Sequence, residues 1–467
     1  MKARHYPPGP IGLPLIGYVP FLGKFPSGTL WKLSKIYGDV FSFYVGRRLI
    51  VCVNDYKKIK EIKEVLNIVL TRPYFNYFTG KGGFGGMNGV QWQEQRRFSM
   101  AALKSLAMSR GSWETMTREQ ASHLVKELQK KNGEPFSCED MIFSSIANNL
   151  ISLLFGRQLD AENEKESIEI TQTFTKYMMD HLGPLDVAMN NPILIKTAEL
   201  LNFRDFQKFK RLLLKFEAIF EREVNERVES KYECAKNDFI GLYLKEIENR
   251  SKTNKPHSFN LETLRGNLFI FLFAGQNSTS TTIEWYLLLM AKYPDVQKKV
   301  CAEIDRNLGR DGVVYYDDRV KLPYTTATLY EMLRFIVRDS LLPPRLVTSD
   351  FEFDGYRIPA GSHIVCNSWA MLHDPRYHED PMRFKPERFL IENGTKLMTM
   401  DNYGLFSFGK RSCPGQGMAM MNLYLYFVSI MQKFTIKTPH GGPPDLEYKI
   451  SSADVQPKKQ NLCFIER

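Results

Sequence analysis

Residues 406–415 read Phe-Ser-Phe-Gly-Lys-Arg-Ser-Cys-Pro-Gly, and one cysteine, Cys413, stands in them between Gly409 and Gly415 with Arg411 just before it. A thiolate is a strong ligand for a soft metal, and glycines beside it let the backbone approach a flat partner that a Cβ would hold off. Its charge needs N–H donors. Pro414 has none, so the sulfur must take its hydrogen bonds from residues beyond it, such as Gly415 and Gln416. Arg411 is placed to pair with an anionic group of a cofactor, and Phe406 to cover the flank of the sulfur and keep water away. The segment looks like a haem-thiolate loop, with Cys413 as the metal ligand and haem b as the cofactor. The alternative is an ordinary buried cysteine in a glycine-rich turn, and the matched positions 406, 409, 411, 413 and 415 stand against it.

The pattern Phe-x-x-Gly-x-Arg-x-Cys-x-Gly is the signature of the cytochrome P-450 superfamily, and the chain resembles that family elsewhere too. Glu331-Met-Leu-Arg334 has its Glu-x-x-Arg spacing, which sets both side chains on one helical face. Alone, such a pair is a solvated surface contact worth ~0.5 kcal/mol or less. With Pro386-Glu387-Arg388-Phe389 downstream, the resemblance implies a buried charge triad that braces the haem loop and performs no chemistry. Trp92-Gln-Glu-Gln-Arg96 matches the family's Trp-x-x-x-Arg element, in which an indole N–H and a guanidinium one turn apart reach the same haem propionate. Arg345, in Leu342-Pro-Pro-Arg-Leu346, occupies the place of a second propionate partner. Propionates inside a protein need fixed cations, and Arg96, Arg345 and Arg411 are the candidates.

The same resemblance implies that the helix carrying Ala274-Gly275-Gln276-Asn277-Ser278-Thr279 lines the distal side of the haem. There the family has Ala-Gly-x-Asp/Glu-Thr, with the glycine breaking the helix enough to leave room for dioxygen and water. This chain departs from the pattern, with Asn277 at the acid, Ser278 at the alcohol and Thr279 next; these three are the catalytic candidates. An amide carries no titratable proton, so delivery must run through water or another group, while Ser278 keeps a hydroxyl donor. Read as an N-glycosylation sequon, Asn277-Ser278-Thr279 would need an exposed loop, which an apolar buried helix does not provide.

The chain of 467 residues, 43% hydrophobic and 13% aromatic, can bury a large core and a cofactor cavity around these residues. Helical periodicity dominates roughly residues 90–340, and short β-branched segments fall at 40–53, 351–365 and 434–463. The expectation is a mainly α protein with small β-sheets, the larger-α, smaller-β fold of the family, as one haem-binding domain over residues 21–467. The seven cysteines, at 52, 138, 234, 301, 366, 413 and 463, form no Cys-x-x-Cys pair, which opposes a zinc site or disulfide framework and suits a reducing compartment. Gly80-Lys-Gly-Gly-Phe-Gly85 matches Gly-x-Gly-x-x-Gly but lacks the strand and helix of a dinucleotide site; it reads as a loop, and in the family this loop borders the substrate cavity.

The formal charge is +11, from 63 basic and 52 acidic residues, with no nucleic-acid motif. It fits attraction to anionic lipid at a membrane surface and docking of an acidic electron-transfer partner, with Lys410, Arg97 and Lys104 on the docking face. Residues 1–20, with Pro7-Pro-Gly-Pro10, read as a juxtamembrane segment and hinge. The resemblance is to animal microsomal drug- and steroid-metabolising members, which implies the cytosolic face of the endoplasmic reticulum membrane and an anchor helix that this sequence lacks, either removed or lying upstream. It also implies a haem-thiolate monooxygenase acting on an apolar xenobiotic, steroid or fatty-acid-like substrate. Electrons would come from an NADPH-dependent flavoprotein reductase, with cytochrome b5 as a further donor. The alternatives are a same-fold isomerase or dehydratase acting on a peroxide without a reductase, and a non-catalytic haem-binding sensor or carrier. Substrate contacts are expected within 74–91, 172–215, 268–279, 341–347, 364–370 and 450–455.

Overall fold

A computed structural model describes the chain apart from residues 1–5, 69–70, 72–82, 110–112, 158–164, 190–195, 198, 230–237, 254, 338–339, 399–403 and 452–453. Its longer helices are α1 (Pro26–Tyr37), α2 (Tyr56–Ile68), α3 (Gly89–Ser109), α4 (Trp113–Gln129), α5 (Glu139–Phe155), α6 (Lys165–Met189), α7 (Arg204–Glu229), α8 (Phe239–Ser251), α9 (Leu261–Lys292), α10 (Pro294–Asn307), α11 (Pro323–Ile336), α12 (Ser368–Leu372) and α13 (Gln416–Lys433). Many begin where the sequence supplies a cap. The side chains of Asp238 and Asn260 accept from Gly241 N and Thr263 N to open α8 and α9, and Pro294 and Pro323 enter the first turns of α10 and α11.

Two bodies of apolar side chains fill the helical part. One joins α4, α5, α9, α11 and α13 through residues such as Leu128, Ile146, Tyr286, Met332 and Phe427. The other joins α5 to α9 through an aromatic column in which Phe174 stacks on Phe216 at 4.6 Å and both meet Phe269 edge-on. The sheets are small. Strands β1 (Val40–Val45), β2 (Arg48–Val53), β3 (Arg345–Leu346) and β6 (His363–Cys366) form one sheet in the order β1-β2-β6-β3, antiparallel except for the β2–β6 pair. β4 (Phe351–Phe353) pairs with β5 (Tyr356–Ile358), β7 (Leu390–Ile391) with β8 (Lys396–Leu397), and β10 (Tyr448–Ser451) with β11 (Asp454–Pro457). β9 (Phe434–Lys437) pairs with the C-terminal β12 (Cys463–Glu466). Mostly helical with peripheral sheets, this is the expected fold class. Four helices fall outside the span 90–340 that periodicity marked: α1, α2, α12 and α13. In α13 the apolar residues run all round because nearly every side chain after Met421 is buried, so the sequence shows no stripe there.

One expectation is corrected. α9 does not break at Gly275; helical structure is continuous through all of its 32 residues. The hydroxyls of Ser280 and Thr282 bond back to the carbonyls of Gln276 and Ser278 at 3.0 and 2.7 Å, alongside the helical ladder. The missing side chain at Gly275 instead permits close packing on α5, since a Cβ there would stand 3.1 Å from Leu150 Cδ1.

α11 carries the charged brace. Glu331 and Arg334 are fully buried, and Arg334 Nε and Nη2 donate to the two carboxylate oxygens at 2.7 and 2.9 Å. Lys385 N donates to Glu331 Oε1 at 2.8 Å, and Arg388 Nε lies 2.8 Å from Oε2 as an ion pair whose N–H is not aimed along a hydrogen bond. Arg334 Nη1 reaches Leu372 O at 2.8 Å. Removing Glu331 therefore leaves the fully buried Arg334 guanidinium without its carboxylate, at a cost of about 3–5 kcal/mol. Glu331→Ala is expected to lower the denaturant midpoint accordingly; a soluble variant of unchanged stability would contradict this account.

Candidate active site

The loop that ends in Cys413 is closed by its own backbone. Cys413 N donates to Phe406 O at 2.8 Å and Ser412 N to Gly409 O at 3.0 Å. Gly409 has φ +68°, which a glycine adopts without strain, and this conformation is the requirement its position shows. Gly415 is the N-cap of α13, so the cysteine sits at a helix N-terminus, where free N–H groups and the helix dipole favour a negative sulfur. Of the six described cysteines only Cys413 is exposed; Cys234 lies outside the described residues. Burial raises the thiol pKa of Cys52, Cys138 and Cys301 and pushes that of Cys366 up to about 12, so none of these four forms a thiolate readily.

Cys413 opens into a cavity of about 420 Å³. Phe406, Pro414 and Gly415 line it from the loop, Ala274, Gly275, Ser278 and Thr279 from α9, and Trp92 and Arg96 from α3. α3 carries this pair because positions i and i+4 share a face, leaving Arg97 and Lys104 exposed on another. Leu342 and Pro343 come from the chain after α11, and Leu150, Leu153 and Leu154 from α5. The leucines of α5 and Trp113 at the start of α4 lay outside the expected cavity segments; nothing in a regular apolar helix distinguishes a wall residue from a core one.

The residues present fit a haem. Trp92 is only 3% exposed, yet its indole N–H has no acceptor among the described residues, as expected of a donor meant for a bound anion. Arg96 Nη2 donates to Ser412 O at 2.7 Å, which puts its guanidinium beside the thiolate loop. Burial lowers its pKa, and the Cys413 sulfur acts in the opposite direction. A Cβ added at Gly415 would meet no protein atom within 4 Å, so the protein's own packing does not demand a glycine there and leaves space beside the loop for a flat partner.

The other candidates are distributed as follows. Arg411 lines the cavity and stacks on Trp92 at 3.8 Å, and it donates to Met87 O at 2.5 Å and Asn88 Oδ1 at 3.0 Å. Arg345 is buried on β3, and neither it, Gly409 nor Asn277 is among the cavity-lining residues. Asn277 is itself buried on α9, one position from Ser278. Gly80 and Gly82 lie outside the described residues, while Gly83 and Gly86 form a turn with a 3.1 Å hydrogen bond.

A family model described as Cytochrome P450 matches residues 7–464 of the chain. Among curated relatives, Cytochrome P450 2J5 of Mus musculus is 31% identical, the alignment covering 100% of this chain and 93% of that protein. Cytochrome P450 2D10 of Mus musculus is 32% identical over 99% of this chain and 92% of its own, and Cytochrome P450 2U1 of Homo sapiens 30% identical over 100% and 90%.

A hydrogen bond to a charged group contributes roughly 1.5–3 kcal/mol. Arg96→Ala and Trp92→Phe, each of which removes a donor at the cavity rim, are expected to speed haem loss to a scavenger by about tenfold or more. Haem release at the unmodified rate in both variants would rule out their contact with the cofactor.

Proposed function

The chain belongs to the cytochrome P450 family, and on that premise we propose that it oxidises an apolar xenobiotic, steroid or fatty-acid-like molecule with electrons from an NADPH-dependent flavoprotein reductase. As a member it is a haem b monooxygenase. When bound, haem supplies the activation of dioxygen and the insertion of one oxygen atom into the substrate. The observation that carries the reading is the single exposed cysteine among the described ones, at a helix N-terminus in the wall of a largely apolar cavity.

In this reading the chain's own residues divide the work. Cys413 binds the metal, and Trp92, Arg96 and Arg411 hold the propionates from the cavity wall, while Arg345, buried on β3 outside that wall, is assigned with them by the resemblance alone. Phe406, Gly409 and Gly415 shape the loop around the sulfur. Ser278 and Thr279 line the cavity from α9, and Asn277, buried beside them, acts through the polar groups around it and exchanges no proton of its own. Side chains such as Leu103, Ile270, Phe271 and Ile336 exclude water and receive an apolar substrate. The formal charge of +11 and the exposed Arg97, Lys104 and Lys410 support docking of an acidic reductase or cytochrome b5. Residues 1–20 serve as a juxtamembrane segment before the haem domain at 21–467. The exposed Ile11, Leu15, Leu200 and Leu201 support contact with a bilayer, at the cytosolic face of the endoplasmic reticulum. Among the described residues no helix is long and apolar enough to cross one.

Two outcomes test this reading. Cys413→His is expected to abolish the red-shifted Soret band that a thiolate gives the carbon monoxide complex of the reduced protein; an unchanged band would overturn the ligand assignment. With a good substrate, Ser278→Ala should lower product formed per NADPH consumed and release more peroxide, whereas Asn277→Asp should raise it. Unchanged coupling in both variants, with an altered substrate-binding constant in the second, would show that position 277 serves ligand contact and not proton relay.

A further inference from the structure

Above the cavity, the segment that follows the undescribed residues 72–82 is held to α9 by side-chain amides that no catalytic step uses. Phe84 lines the cavity and packs against Phe271, with ring centroids 5.2 Å apart. Its backbone N–H donates to Asn267 Oδ1 at 2.9 Å. Asn267 Nδ2 donates to Gln95 Oε1 at 2.9 Å, and Gln95 Nε2 donates to Ser258 O and Oγ at 3.2 and 3.0 Å. Tyr243 donates its hydroxyl to the same Gln95 oxygen at 2.9 Å. Gln95, Asn267 and Tyr243 are fully buried.

The polarity of this chain of bonds is fixed at both ends. Ser258 O can only accept and Phe84 N can only donate, so each amide has one permitted orientation. Turning either over would set oxygen against oxygen or N–H against N–H in a dry interior, which costs more than losing one bond. The anchor is close to the chemistry. Asn267, Phe271, Ala274 and Ser278 follow one another at helical spacing on α9, and the last three line the cavity. Backbone approach is tight as well, since a Cβ on Gly83 would stand 2.5 Å from Gly266 O.

We propose that the Gln95–Asn267 amide pair is a specificity-determining positioning element: it fixes the Phe84 peptide to α9 and so sets the width of apolar ligand that the cavity admits beside the packed Phe84–Phe271 pair. Arg411 holds the same segment at Met87 and Asn88 and reaches Phe84 O at 3.5 Å, so the amide pair controls the N–H side of Phe84. The proposal rests on the monooxygenase reading in that the ligand enters this cavity, yet neither amide touches the cofactor's thiolate loop.

The test uses the haem-loaded protein and a size series of benzene, tert-butylbenzene and 1,3,5-triisopropylbenzene. Dissociation constants come from the haem optical change, and hydrogen exchange is followed in peptides spanning 83–91. Asn267→Leu should speed exchange of the Phe84 amide about tenfold or more and shift the affinity ratio about tenfold toward the widest ligand, with the carbon monoxide band intact. Tyr243→Phe, which leaves the amide chain in place, should preserve the ratio. Faster exchange with an unchanged ligand ranking would overturn the proposal, and so would unchanged exchange. If Asn267→Leu does not fold, Asn267→Ala takes its place with the same readouts, because it removes the acceptor for Phe84 N without adding bulk to the interior. A missing thiolate band in the unmodified protein would instead strike at the monooxygenase reading.

Discussion

A carboxylate with no access to water, Glu331, is the constraint on which the arrangement of this protein depends. Its two oxygens are occupied by Arg334, Arg388 and the Lys385 amide, and Arg334 extends the contact to Leu372 O. Three separate stretches of chain, near 331, 372 and 386, are thereby held at fixed distances before the loop to Cys413 begins. Burying such charges is costly, and apolar side chains of equal volume would serve stability as well or better; what an ion network supplies here is a single geometry. The neighbours conform to it. Burial and the Arg334 charge push His373 down to about 3, and burial with Arg334 and Arg388 pushes His378 down to about 4, so at neutral pH both histidines are uncharged and leave the carboxylate to its own partners.

That brace was legible in the sequence only as spacing. A Glu and an Arg three apart are common on exposed helices, and it was their position upstream of the cysteine loop and of Pro386–Phe389 that gave them meaning. The loop itself was readable directly, since its residue types fall within ten consecutive positions, although Arg96, Met87 and Asn88 tie it to distant chain. The reason assigned to each glycine was less secure: Gly415 has the open surroundings that close approach to a flat cofactor requires, whereas at Gly409 the backbone conformation makes the demand. The end of the chain read as short strands correctly, but α13 before it gave no periodic signal because it is buried almost all round.

The distal helix shows how a motif can predict the residues and miss the mechanics. Ala274, Gly275, Ser278 and Thr279 do face the cavity, as the resemblance implies. Helical structure runs without a break from 261 to 292, and the missing Cβ at Gly275 lets the helix pack closely on Leu150. Hydroxyl back-bonds from Ser280 and Thr282 also mean that the polar run after Gly275 is partly spent on the helix itself, so a stretch of Ser and Thr does not count as a row of donors facing a ligand.

The two sides of the cavity are therefore specified in different ways. On the thiolate side, neighbours in sequence are neighbours in space, and the pattern can be read from one short segment. On the side that meets the substrate, Phe84 is placed by an amide 183 positions away, which is oriented in turn by another 172 positions from it. No local pattern records such a contact, because asparagine and glutamine in helices read as ordinary surface residues until their burial is known. The consequence is a difference in how the two walls are recorded: backbone bonds that close the cysteine loop lie within the loop, while the bonds that hold Phe84 join it to α9 and, through Asn267, to α3. If the amide pair sets the cavity width as proposed, selectivity changes through buried amides with Cys413 and its loop left as they are.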